Sequence, residues 1–350
     1  MLTLCTLFDH NYLDKGLAMY KSLELVCEEF ELYVLAMSDK CYEILSELNY
    51  PHIKPIKLVD FEDEELLRVK PTRKVGEYCW TCSSSLIRYV LMTYNPEYCT
   101  YIDADLYFYS NPQVLIDEMK QKNASVLVVG HRFNKSEKKQ REWTVGKYCV
   151  EFNAFKNDKN GLKLVNIWRN QCLEHCSIDG DGVHWGDQKY LDHWCEDYPY
   201  CIETEQLGAG VAPWNFLQYK YVSGSTEKNL MVECGKSIYP MIFYHFENIE
   251  YIEKKRVHIN VYSRFGIDDK LVKVLYFEYL RVVDKQKDLI KDKFGLDILI
   301  KSHPGVVQKT KKERRLSKKL KSLLNPIKVK DFLSYKIRRT FNEKKNIIEI

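Results

Sequence analysis

Tyr101-Ile102-Asp103-Ala104-Asp105-Leu106-Tyr107 carries two carboxylates, two residues apart, at the end of an apolar run. Residues 98–102 read as a strand that stops at Asp103, and Asn111-Pro112 opens a helix soon after. At a strand tip, residues i and i+2 face one crevice, and open α/β sheets bind ligands outside the carboxyl ends of their strands. Bare carboxylates repel a diphosphate. A divalent cation between them removes the conflict, and hard oxygen ligands suit Mn²⁺ or Mg²⁺. The competing reading is a solvated turn, since an aspartate-any-aspartate triplet is common by chance.

Towards the N-terminus the pattern alternates. Residues 2–8, 31–37 and 53–58 read as short buried strands. Between them, 11–30 and 39–48 have helical spacing, the first through Leu13, Leu17, Tyr20 and Leu23. A helix over 81–94 carries Ser83, Ser84, Ser85 and Arg88. Beyond the aspartates come a strand at 125–130, a polar loop at 135–147, a strand at 148–155, a helix at 162–176 and a short helix at 188–195. Short strands occupy 200–245, the last at 238–244, and a long helix covers 268–293. Strands alternating with helices predict an α/β fold with a mostly parallel, Rossmann-like sheet flanked by helices. The expected organisation is a nucleotide-binding domain over 1–265, a helical extension over 266–304 and a basic amphipathic tail over 305–350.

Arg88 on a helix, an apolar strand, Asp103-Ala104-Asp105, then Asn111-Pro112 and a helix resemble the donor-binding segment of GT-A glycosyltransferases. The resemblance is greatest to the family-eight group, which includes glycogenin and bacterial lipopolysaccharide galactosyl- and glucosyltransferases. It covers roughly residues 1–250. It implies a GT-A fold and transfer of a sugar from a nucleoside diphosphate, with UDP the expected carrier, to a saccharide or lipid-linked saccharide acceptor. It implies that Asp103 and Asp105 hold Mn²⁺ (or Mg²⁺) against the donor, with Ala104 in the same segment. Arg88 takes the place of an arginine near the donor; otherwise it is a surface helix cation.

Three further pieces fall in the family's order. Glu151-Phe152-Asn153-Ala154-Phe155 resembles its asparagine-containing strand beside the donor sugar, although the following small-residue run is incomplete. Gly186-Asp187-Gln188 resembles its aspartate-glutamine pair near the reacting centre; the alternative for Asp187 is an N-cap. His245 stands where the family places a histidine that completes the metal shell, and imidazole is a good partner for carboxylates around Mn²⁺. Here Phe246-Glu247-Asn248 follows it, where the family continues with glycine and Lys-Pro-Trp. A core histidine is the alternative, and His131 and His184 are competing ligands. Thr6 and Phe8 end the first strand, which in GT-A folds meets the base and ribose; strand-end packing is the other reading. Gly208-Ala209-Gly210-Val211-Ala212-Pro213-Trp214 combines glycines that admit close backbone approach with an indole that offers a wall to a sugar.

The net charge of +4 conceals an asymmetry: residues 301–350 hold 16 Lys and Arg against 4 Asp and Glu, the other 300 residues 37 against 45. The tail places Leu316, Leu320, Leu323 and Leu324, then Phe332, Leu333, Ile337 and Phe341, at helical spacing among its cations. A basic amphipathic stretch of this kind suits an anionic membrane surface; a solvated tail is the alternative. The acidic body and the lack of a recognition module argue against nucleic acid. No window of 18 consecutive apolar residues occurs, so no span is expected. With no basic n-region ahead of residues 2–8, no secretory leader is expected either, and the twelve cysteines read as reduced thiols of a cytoplasmic protein, peripheral on the inner face of the membrane. Cys79-Trp80-Thr81-Cys82 is a lone pair without a second pair to make a zinc site.

Retention of anomeric configuration is what the resemblance implies; an inverting enzyme needs a base, for which Asp187 is the candidate. Three other activities compete. A nucleotidyltransferase needs a glycine- and arginine-rich loop after the first strand, which residues 7–16 lack. A haloacid-dehalogenase-like phosphatase needs its aspartates at the first strand. A non-catalytic carbohydrate-binding protein needs no metal carboxylates.

Overall fold

β1 (Leu2–Phe8) is buried along its whole length, as expected of a strand covered on both faces. The computed structural model describes residues 1–180, 183–225, 229–253, 256–259, 270–298 and 347–349. The chain divides into two compact units, one of Met1–Glu247 with Val274–Ile298, the other of Asn248–Lys273 with Leu299–Ile350.

In the first unit, α1 (Leu13–Val26) leads from β1 to β2 (Phe30–Ala36), and α2 (Asp39–Leu48) leads to β3 (Ile53–Lys57). Ser38 caps α2 by accepting from the Cys41 amide, and Asn49 stops it in the left-handed conformation at φ 46°. Two short helices, α3 (Leu58–Phe61) and α4 (Glu64–Val69), precede α5 (Val75–Tyr94), β4 (Tyr98–Ile102) and β5 (Leu106–Phe108). Then follow α6 (Gln113–Gln121), β6 (Val126–Gly130), α7 (Lys138–Val145), β7 (Tyr148–Lys156) and α8 (Lys159–Glu174). The remainder holds α9 (Trp194–Asp197), β8 (Cys201–Glu203), β9 (Tyr219–Tyr221), β10 (Met231–Cys234), β11 (Ser237–Pro240) and β12 (Phe243–His245).

The central sheet has seven strands in the order β3-β2-β1-β4-β7-β6-β8. β7 runs antiparallel to both its neighbours, and every other pair is parallel. This is the mostly parallel, helix-flanked α/β sheet expected from the alternation. Period-two burial distributes its side chains: Leu4, Phe8 and Val34 join the α1 and α2 side, Cys5, Leu7 and Leu35 the α5 and α8 side. The strand order reverses at β1, with β2 on one side and β4 on the other. The carboxyl ends of β1 and β4 therefore flank the topological switch point, where such sheets leave a crevice.

α10 (Lys270–Phe294) is the expected long helix, and from Val274 onward it belongs to the first unit. There Tyr279 stacks on Phe246, centroids 3.8 Å apart, and Tyr276 meets Tyr244 edge-on at 5.7 Å. The second unit contains the antiparallel sheet β13 (Glu250–Glu253), β14 (Arg256–His258) and β15 (Ile347–Glu349). Apart from 347–349, the basic tail lies outside the described residues.

Several local readings are corrected. Residues 135–147 are not simply a loop: α7 forms there, supported by Glu137–Arg141 and Lys138–Glu142 pairs one turn apart, which bare polarity hid. The single strand expected at 238–244 is two, β11 and β12, which join different sheets. The helix expected at 188–195 is a 3₁₀ turn at Lys189–Leu191 followed by α9. No helix among the described residues is long and apolar enough to cross a membrane.

Candidate functional site

At the end of β4 the Asp103 amide donates to the Glu151 carbonyl (3.0 Å), and the chain turns into β5. β5 pairs with β12, setting Leu106 opposite His245, and the Phe246 amide donates to the Asp105 carbonyl at 2.9 Å. A two-stranded ladder thus fixes His245, 140 residues downstream, over the two aspartates. Its Nε2 lies 3.1 Å from Asp105 Oδ1 and 3.7 Å from Asp103 Oδ2. Its Nδ1 lies 2.7 Å from Glu151 Oε2. The Tyr12 hydroxyl donates to Asp105 Oδ2 at 3.1 Å.

Burial raises the Asp103 carboxyl well above the usual range, as does repulsion from Asp105, Asp187 and Glu151, against the attraction of His245. Burial acts on Asp105 too, but His245, Lys15 and the Tyr12 hydroxyl prevail and hold it at about 2. His245 is pushed well above the imidazole range: burial opposes its charge, while Asp105 and the bonds to Cys149 and Glu151 favour it. Two candidate ligand sets share this imidazole, Asp103–Asp105–His245 and Cys149–Glu151–His245, each with its candidate ligand atoms within 4.8 Å of one another.

Asp187 is 5% exposed. Burial lifts its carboxyl to about 7, although the Ser83 hydroxyl donates to Oδ2 at 2.6 Å. Its backbone is fixed by the Trp168 indole, which donates to the Asp187 carbonyl at 2.8 Å. The preceding Gly186 adopts φ 53°, and a side chain there would press on the Trp80 ring at 3.3 Å. Gln188 is half-buried and donates to the Val145 carbonyl at 2.7 Å. Asn153 sits opposite Tyr101 in the sheet, fully buried, with both amide atoms unpartnered among the described residues. The Thr6 hydroxyl is likewise buried without a partner, and Ala104 is buried between the two aspartates.

Three side chains stand differently from their expected use. Arg88 donates to Asn166 Oδ1 at 2.8 Å on the surface between α5 and α8, and no carboxylate of the cluster is its partner. The cause is helical spacing: one turn earlier, Ser84 lies beside Cys172, so the 84–88 row faces α8. Trp214 is 6% exposed; its indole donates to the His131 carbonyl and its ring meets His245 edge-on at 5.4 Å. It braces the imidazole and presents no open wall. The Phe8 ring packs on Gly16 inside the core, leaving no face for a base. Of the competing histidines, His131 is pressed down to about 3 by burial and stays neutral.

The sequence reading missed Glu151, Tyr12 and Lys15. Glu151 had a signal: it lies two residues before Asn153 on the same strand and so shares its face. Tyr12 and Lys15 had none, because only the fold brings α1 to Asp105. All twelve cysteines are free, and neither candidate ligand set includes Cys79 or Cys82.

No protein-family model matches the chain. It is 31% identical over 265 residues to YfnF of Bacillus subtilis (strain 168), covering 73% of this chain and 84% of that one. The chain belongs to the YfnF family. YfnD of the same strain is 29% identical over 292 residues, covering 83% and 91%. Both YfnF and YfnD are described as uncharacterized proteins. Among solved structures, this YfnF relative is similar to the galactosyltransferase LgtC in complex with donor and acceptor sugar analogs. Identity there is 12%, coverage 81% of this chain and 96% of that one, and the TM-score 0.46. It is also similar to mouse xyloside xylosyltransferase 1, at 13% identity, 70% and 97% coverage and a TM-score of 0.44.

Proposed function

We propose that this chain is a metal-dependent GT-A glycosyltransferase that moves a sugar from a nucleoside diphosphate, UDP in the first instance, to an acceptor hydroxyl. The observation that carries the reading is the convergence of Asp103, Asp105 and His245 at the switch point of the sheet. These residues fit a divalent ion. Neighbouring ligands about 2.1 Å from one ion stand about 3 Å apart, and His245 Nε2 is 3.1 Å from Asp105 Oδ1. Two oxygens and one imidazole nitrogen suit Mn²⁺ or Mg²⁺ better than the thiol-containing set on the other side of His245. When bound, the ion supplies Lewis-acid stabilisation of the charge that develops on the departing diphosphate.

The chain's own residues do the rest. Glu151 accepts from His245 Nδ1 and so aims Nε2 at the aspartates; Trp214 fixes the ring plane. Asn153 offers a buried, unpartnered amide to sugar hydroxyls. Asp187, with a carboxyl near neutrality, accepts or donates a hydrogen bond at a donor or acceptor hydroxyl, with Gln188 beside it. Thr6 and the backbone of Phe8 and Ala104 border the nucleotide. No covalent nucleophile is assigned, and retention by front-face attack is the stereochemical expectation. The acceptor is a saccharide or lipid-linked saccharide, consistent with a basic tail at an anionic membrane.

The test incubates the full chain with MnCl₂ and a panel of nucleotide sugars and measures release of free nucleoside diphosphate. Release that requires the metal is expected. The absence of both turnover and binding with every donor contradicts the reading, and pyrophosphate release from a nucleoside triphosphate and a sugar phosphate replaces it with a nucleotidyltransferase.

A further inference from the structure

Lys15 is 6% exposed, yet its ammonium forms no hydrogen bond and has no carboxylate within ion-pair distance among the described residues. It lies over the Tyr12 ring, 3.9 Å from the centroid. The hydroxyl of that same Tyr12 donates to Asp105. The neighbouring Asp14 is turned elsewhere: Oδ1 accepts from the Lys15 amide and Oδ2 faces Lys287 Nζ at 3.9 Å. A buried ammonium ordinarily acquires a carboxylate or sheds its proton. Here the carboxylates near it, Asp14 and Asp105, attract it without pairing with it.

Lys15 also lies in the first turn of α1, which follows β1 at the switch point. Tyr12, the residue before that helix, provides no side-chain cap, so the partial positive charge of a 14-residue helix end adds to the ammonium. Asp105 is the site carboxylate near it, and Asp103 is in turn repelled by Asp105, Asp187 and Glu151. The arginine expected to supply positive charge, Arg88, is bonded to Asn166. A ligand held beside the aspartates that itself carries two or more negative charges needs a cation on this side.

We infer that Lys15 is the chain's cation for the donor diphosphate, leaving the Tyr12 ring to contact a phosphate oxygen when the nucleotide enters. The inference rests on the glycosyltransferase reading. Four methylenes give the ammonium the reach and rotation for that exchange, and its charge is a point that any phosphate oxygen satisfies. Base and sugar are read by other residues, so Lys15 serves nucleoside diphosphates as a chemical class.

Isothermal titration of the full chain with MnCl₂ and UDP, GDP, ADP or CDP in turn identifies the nucleotide bound. The same titration is then run on Lys15→Met and Lys15→Arg, with MnCl₂ alone and with the corresponding nucleoside as controls. Lys15→Met is expected to weaken the diphosphate on the order of ten- to hundredfold. It should leave MnCl₂ alone and the nucleoside within about threefold of wild type, and Lys15→Arg should retain most of the diphosphate affinity. Where Met prevents folding, Lys15→Gln makes the same comparison. Diphosphate binding as tight as wild type without the ammonium overturns the inference and leaves the enzyme reading standing. An equal loss of MnCl₂ and diphosphate overturns it in favour of a structural partner for Asp105. A wild-type chain that binds none of the four diphosphates with Mn²⁺ overturns both.

Discussion

Asp105 and Asn153 are both buried at the carboxyl end of the sheet, and their polar atoms have opposite fates. Asp105 is engaged by His245 on one oxygen and by Tyr12 on the other. Asn153 has neither amide atom bonded among the described residues. A buried polar group without a partner costs about 1–3 kcal/mol, so a folded chain keeps one only where something else pays for it. Under the proposed function, the Asp105 side is assembled before any ligand arrives and the Asn153 side is completed by the donor sugar. Substitutions on the two sides should therefore fail differently.

The largest effect is expected at Asp105. Asp105→Ala removes a proposed ligand and takes from His245 Nε2 and the Tyr12 hydroxyl the carboxylate they share, and turnover should fall by on the order of 10³-fold, about 4 kcal/mol. Full activity in that variant, measured as nucleoside diphosphate release, places the ion elsewhere. Next comes Glu151→Gln. Glu151 is 0% exposed and bonded to His245 Nδ1, so weakening that bond should reduce Mn²⁺ affinity by about 10–100-fold. Unchanged Mn²⁺ affinity, measured by the loss of the free-ion resonance signal, argues that His245 is not a ligand.

Asp187 separates stability from function. Its carboxyl stands at about 7 in the fold against an ordinary 3.8. The folded chain therefore holds a proton that the unfolded chain has released. Stability falls as pH rises from about 4 to 7, and by pH 8 the full cost, about 4 kcal/mol, is in place. Asp187→Asn keeps the acceptor for Ser83 and abolishes that cost. It should raise the melting temperature at pH 8, change it little at pH 4, and lose turnover. A variant no more stable at pH 8 than wild type refutes the burial argument. The smallest effect is expected at Asn153: Asn153→Ala should shift stability by less than about 1 kcal/mol while raising KM for the donor. A large loss of stability means that the amide is already satisfied in the free protein.

The same contrast explains what could be read in the sequence. The sheet was legible because β1, β2 and β4 are short apolar runs and Leu13, Leu17, Tyr20 and Leu23 mark the helix between the first two. The aspartates were legible because they end one of those runs. His245 was singled out by its place in the family's order, since nothing local distinguishes it, and the fold sets it beside the aspartates. What could not be read depends on side-chain direction. Arg88 faces α8 because of where its row falls on α5, Trp214 is turned inward by its bond to the His131 carbonyl, and Lys15 comes near Asp105, without pairing with it, because α1 packs beside β5. α7 was hidden because its stabilising pairs are charged and its stretch has no apolar stripe.

The central claim is that Asp103, Asp105 and His245 hold one divalent ion against a diphosphate. Crystals of the full chain soaked in MnCl₂ and UDP, recorded at the manganese absorption edge, test it most directly. The account predicts one anomalous peak within bonding distance of Asp105 and His245, with phosphate oxygens on its open side. A peak between Cys149 and Glu151, or bound nucleotide with no ion beside the aspartates, contradicts it.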